Sequence, residues 1–142
     1  MADRQRNRVY AWEDRVVAPH DPTVVPFGAG QGMVNAIWAE MGLLYPPRVE
    51  PLPAQARCRI ADANRLRIRL PRSTPSWCVL HELAHAMTTT QDGVSDGHGA
   101  DFVGVYVQLL RTYLRLDGAE LQASLAQAGV KVRMEARAVF SD

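Results

Sequence analysis

Two histidines four positions apart flank a glutamate in His81-Glu82-Leu83-Ala84-His85. On a helix, residues i and i+4 share one face, so both imidazoles aim at one point while the glutamate stands beside them. That pattern is metal chemistry. Neutral imidazole nitrogens suit zinc, which prefers four ligands and lowers the pKa of a bound water to about 7 when one position is left to solvent. Glu82 is then the general base for that water and not a ligand. Leu80, Leu83, Ala84 and Met87 recur at helical spacing, which predicts the helix on separate grounds.

A catalytic site of this type needs a third protein ligand. The extended metzincin motif would place glycine at 88 and histidine at 91, where the chain has Thr88 and Gln91. The first glutamate beyond Glu82 is Glu120, in an Asp117-x-x-Glu120 pattern that reads as a helix cap. Asp92, Asp96 and Asp101 are the aspartate candidates. His98 is favoured over them, because the chain has four histidines and this one opens a helix after a loop long enough to return to the first two. Asp101 is a candidate to accept a hydrogen bond from the His98 ring, with an ordinary first-turn aspartate as its other reading. Cys78 reads as a small buried thiol, Tyr106 as a core residue before a donor into the pocket, and His20 as a surface residue.

The surrounding periodicities predict the frame. Val9, Tyr10, Trp12, Val16 and Val17 give a rough helical face over Asp3 to Val17, ending before Pro19. A second helix is expected from Gly30–Gly32 to Leu44, followed by an extended proline-rich connector from Pro46 to Pro53. Arg57 to Ile60 and Arg65 to Leu70 alternate charged with apolar residues, predicting an antiparallel hairpin turned at Ala61 to Asn64. Thr74 is a candidate cap for the His81 helix. After a polar loop, Thr89 to Gly97, a long helix is expected from Gly99 to Leu116, another from Asp117 to Gly129, and a last strand over Val130 to Ala138.

With Arg67-Ile68-Arg69-Leu70-Pro71, then Leu80-His81-Glu82-Leu83-Ala84-His85, then His98-Gly99-Ala100-Asp101-Phe102, the chain resembles the minimal zincins of the SprT-like and WLM kind. In those proteins H-E-x-x-H is followed by H-G-x-x-F or H-G-x-x-W. It also resembles short actinobacterial and phage proteins described as metallohydrolases. The likeness spans residues 65–116 and implies His81, His85 and His98 as ligands, Glu82 as catalytic base, and proteolysis of DNA-bound proteins as the activity. The C-terminal zinc ribbon common in SprT-like proteins is beyond a chain with two cysteines.

Composition sets the outer bounds. A chain of 142 residues, 47% hydrophobic and 22% charged, is expected to form one domain over residues 1–142 with a single core. Cys58 and Cys78 are too few for a disulfide framework, and neither a secretory leader nor an apolar run of membrane-spanning length is present, so a cytoplasmic protein with no membrane partner is expected. The net charge of +1 hides a contrast: residues 48–72 carry +5 and residues 73–142 carry −3. Arg65, Arg67 and Arg69 are expected on one strand face, either as a solvated face or as a basic strip for DNA or an acidic substrate. The expectation is thus an α+β zincin-like fold, a small antiparallel sheet packed on the H-E-x-x-H helix and a second long helix. Its function is expected to be zinc-dependent hydrolysis of a peptide or protein. A hydrolase for another bond, or a binding module with a structural metal, are the alternatives. The oligomeric state has no signal.

Overall fold

The helix carrying His81 and His85 runs Ser76–Met87, and all but two of its residues are buried. A segment apolar on nearly every side must be enclosed on nearly every side, so this helix sits at the centre and the other elements cover it. A computed structural model describes residues 3–53 and 61–140. In chain order its elements are α1 (Arg6–Trp12), β1 (Val24–Pro26), α2 (Phe27–Glu40), β2 (Arg48–Pro51), β3 (Asp62–Ala63), β4 (Arg67–Leu70), β5 (Ser73–Pro75), α3 (Ser76–Met87), α4 (Ala100–Tyr113) and α5 (Gly118–Gln127). The architecture is α+β. None of the helices described is long and apolar enough to cross a membrane.

α4 packs along α3 and turns Phe102, Val105, Tyr106 and Leu109 inward, as their spacing predicts. α5 is capped by Asp117, whose side chain accepts the Glu120 N–H at 3.0 Å, and buries Leu121 and Leu125. α1 does not continue as a regular helix to Val17: it widens into a π turn over Glu13–Val17 and tightens into a 3₁₀ turn over Ala18–His20. Such widened turns recur at functional sites, and this one begins at a buried glutamate. α2 starts at Phe27, earlier than its glycines suggest, and stops at Glu40.

Among the described residues the strand Arg67–Leu70 has an antiparallel partner, as expected, but that partner is Asp62–Ala63, and a parallel strand flanks it on the other side. The first strand of the expected hairpin, Arg57 to Ile60, lies outside the described residues, as does Cys58. Asp62 and Ala63, expected in a turn, instead pair antiparallel with Arg69 and Ile68. β2, in the stretch expected as a connector, pairs parallel with β4 from Arg48 opposite Arg67 to Pro51 opposite Leu70. Proline at a strand end costs little because its missing N–H falls where the ladder stops. Ile68 and Leu70 are buried and face the core, so the alternation in β4 reads correctly.

β5 and β1 form a second, two-stranded antiparallel sheet. Thr74 therefore sits in extended backbone with its side chain buried and does not cap α3. Asp21 does so instead: its Oδ2 accepts the Trp77 N–H at 2.7 Å and the Ser76 hydroxyl at 2.5 Å.

The last expected strand is irregular chain. Val130 and Ala136 are buried, but the backbone bonds of this stretch go to helices. Arg133 N donates to Ala100 O, Val139 N to Met87 O, and the Gln108 side chain donates to the carbonyls of Met134 and Ala136. The alternation came from chain wrapped over α3 and α4, whose peptide groups are satisfied without a neighbouring strand. The wrap needs a gap in α4: a Cβ at Gly104 would lie 1.9 Å from Arg133 O and 2.9 Å from the Ala136 Cβ. Helix propensity alone makes Gly→Ala stabilising by roughly 1 kcal/mol. Here the clash reverses the sign, and Gly104→Ala will cost about 1–3 kcal/mol in denaturant unfolding.

Candidate metal centre

His81 and His85 project from one face of α3, and His98 arrives from the loop before α4. The His85 and His98 Nε2 atoms are 3.1 Å apart, and those of His98 and His81 3.3 Å. Nitrogen ligands held at about 2.0–2.1 Å by a tetrahedral ion stand about 3.3 Å from one another. The three rings thus fit a small four-coordinate cation. Among the described residues these are the histidines, cysteines and acids grouped closely enough to hold one.

The outer nitrogens decide what the inner ones can do. His81 Nδ1 lies 2.5 Å from Glu13 Oε2, and His98 Nδ1 lies 2.6 Å from Asp3 Oδ2. A carboxyl oxygen at Nδ1 keeps the proton there and leaves Nε2 with its lone pair. With the proton on both Nδ1 atoms, the Nε2 lone pairs of His98 and His81 face each other at 3.3 Å, an arrangement that a cation between them would relieve. Burial, with the His98 charge second, holds His81 down at about 3, and burial holds His85 well below the usual imidazole range. Both rings are thus held in the neutral form that a metal ligand requires.

Both carboxylates come from the N-terminal segment. Asp3 also accepts the His98 backbone N–H, and Gln5 donates from its side-chain amide to the carbonyls of His98 and Lys131. Gly97, at φ +64°, lets this loop pass Asp3: a Cβ there would meet Asp3 Oδ2 at 2.8 Å. Glu13 Oε2 takes a second hydrogen bond from the Tyr106 hydroxyl at 2.7 Å, so Tyr106 reaches the site through Glu13 and is fully buried. Burial pushes the Glu13 carboxyl up to about 8, against the lowering effect of the Tyr106 bond. Asp3→Asn and Glu13→Gln will each weaken metal affinity by about 10–100-fold, measured by competition with a chromophoric chelator.

Phe102 closes the cluster on the core side. Its ring centroid is 4.2 Å from that of His85, 5.0 Å from His81 and 5.0 Å from His98. The other side is open: a cleft of about 540 Å³ is lined by His81, Glu82 and His85 with Tyr10, Trp77 and Asp62 among its walls. Glu82 is 5% exposed and one residue along α3 from His81. A buried carboxylate thus borders the same space as two of the three imidazoles.

No protein-family model, curated protein or solved structure matches the chain.

The remaining candidates lie elsewhere. Asp101 does not reach His98, because its Oδ1 accepts from Arg133 Nε at 2.5 Å; Asp3 fills that role. Asp96 Oδ2 accepts the Asp101 N–H at the start of α4, and Asp92 accepts the Thr90 hydroxyl in the loop. Cys78 lines the cleft as a buried thiol raised to about 12, chiefly by burial, and is outside the cluster. His20 is exposed. Arg65, Arg67 and Arg69 do not share one strand face, since Arg65 precedes β4. At 8% exposure Arg65 is buried, its guanidinium 5.0 Å from the Trp38 ring and 4.3 Å from the Phe140 ring, donating to Tyr45 O. Arg69 makes a two-pronged pair with Asp62, and Arg67 lies 3.7 Å from Glu50. All three cations have partners within the fold, and the exposed Arg67–Glu50 pair is the loosest of them.

Proposed function

We propose that the chain is a zinc-dependent hydrolase, specifically a metallopeptidase of the minimal zincin kind that cuts amide bonds in a peptide or protein. The supporting observation is the convergence of three imidazole Nε2 atoms, two of them backed by carboxyl groups, beside a cleft that Glu82 also borders. Structural zinc sites are closed by four protein ligands, whereas catalytic ones keep three and an open position.

His81, His85 and His98 would hold the zinc, which would supply Lewis acidity and a water acidic enough to act near neutral pH. Glu82 accepts the proton of the attacking water and returns it to the leaving amine. Asp3 and Glu13 fix the two rings they touch, and positive charge on the far nitrogen of His81 favours the ionised form of Glu13 over the protonated form that burial favours. Half-buried Trp77, with Ala61 and Ala63, gives the cleft an apolar wall suited to a substrate side chain.

Zinc-loaded protein incubated with a mixed peptide library will generate new peptide termini, read by mass spectrometry. The cleavage will stop on chelation and return with zinc. Turnover of esters or phosphoesters without any peptide cleavage would move the reaction to another bond. A metal that leaves only on unfolding would make the site structural.

A further inference from the structure

The three ligands and Glu82 account for the metal, the nucleophile and its proton, but they offer no hydrogen-bond donor to share with the metal the negative charge that builds on the substrate carbonyl oxygen. Tyr106, the sequence candidate for that task, is fully buried, and its hydroxyl is spent on Glu13. Tyr113 donates to Glu40. Tyr10 differs from both. It stands on α1, borders the same cleft as His81, Glu82 and His85, and is 43% exposed. Its ring lies 5.0 Å, edge-on, from that of His98 and 6.1 Å, stacked, from that of His81. No described residue hydrogen-bonds its hydroxyl, which leaves it to water or to a substrate. The helix beneath it is fixed, with Val9 and Trp12 fully buried and Trp12 Nε1 donating to Ser124 Oγ at 2.8 Å.

We propose that Tyr10 is a further catalytic residue, its hydroxyl donating a hydrogen bond to the substrate carbonyl oxygen as that oxygen becomes negative. This rests on the hydrolase reading above. Phe102 occupies the core side of the three imidazoles, so a substrate enters from the cleft side, where Tyr10 covers His81 and His98. The tyrosine keeps its O–H bond throughout. The water oxygen bonds to the carbonyl carbon, Glu82 holds the released proton, the C–N bond breaks, and the amine departs with that proton. Tyr10 differs from a packing residue in one atom, and Tyr10→Phe removes that atom while keeping both ring contacts.

Removing one donor of this type costs about 10²–10³-fold in kcat. Zinc-loaded Tyr10→Phe will show that loss on a peptide that the wild type cleaves, with KM changed far less and zinc content unchanged. It will also bind a dipeptide phosphonamidate, a tetrahedral anionic mimic of the reacting centre, at least about tenfold more weakly by calorimetry, a readout independent of turnover. Wild-type kcat together with unchanged phosphonamidate affinity in Tyr10→Phe would overturn the assignment and leave zinc hydrolysis standing. A wild-type protein that neither cleaves peptides nor binds the phosphonamidate would overturn both.

Discussion

Glu82→Gln will keep the fold and bind zinc with the same stoichiometry, yet lower kcat by about 10²–10⁴-fold, the usual contribution of a positioned general base. Glutamine matches glutamate in shape, so the wall of the cleft and the packing of α3 are preserved. What it lacks is a carboxylate oxygen able to accept the proton of the attacking water. Because Glu82 is not among the three residues whose ligand atoms converge, its loss leaves the metal in place. The check is paired: zinc by elemental analysis and turnover on the same sample. A Glu82→Gln protein with wild-type turnover would end its assignment as the base.

His98→Ala will act on the metal itself. It leaves two imidazoles on α3, and affinity will fall by more than the roughly 10–100-fold expected for changing an outer-shell partner. Thermal unfolding reports this through linkage, since a ligand at 100 times its Kd stabilises by about 2.7 kcal/mol and at 1,000 times by about 4.1. Added zinc will raise the wild-type melting temperature and leave that of His98→Ala nearly unmoved. Asp3→Asn will fall between them, because it loosens the His98 ring without removing it. Equal zinc-induced shifts in wild type and His98→Ala would remove His98 from the ligand set.

The local parts of this site could be read from the chain. His81, Glu82 and His85 share a helix whose apolar spacing announces it, and His98 follows at a loop's distance. The carboxyl groups behind the ligands could not be read this way: Asp3 lies 95 positions from His98 and Glu13 lies 68 from His81. Glu13 left one trace, an acid set among Val9, Trp12, Val16 and Val17 on the inward side of α1 and the π turn that follows it. Asp101, near in sequence, is drawn off by Arg133, and the Arg65 guanidinium is drawn under Trp38 and Phe140. Spacing along a chain says which side chains share an element, while their partners depend on which elements the core brings together. The same distinction explains the fold. α3, α4 and α5 carry their own periodicity, but β2 is defined by its pairing with β4, and the alternation of Val130 to Ala138 matched a strand while its backbone bonds ran to α3 and α4.

X-ray absorption at the zinc edge of the purified, zinc-loaded protein tests the central claim most directly. The geometry calls for four light-atom neighbours, three of them imidazole nitrogens at about 2.0–2.1 Å and the fourth exchangeable. His98→Ala should lose one imidazole from that shell. A sulfur neighbour at about 2.3 Å, or a shell unchanged by His98→Ala, would contradict a three-histidine site with an open position.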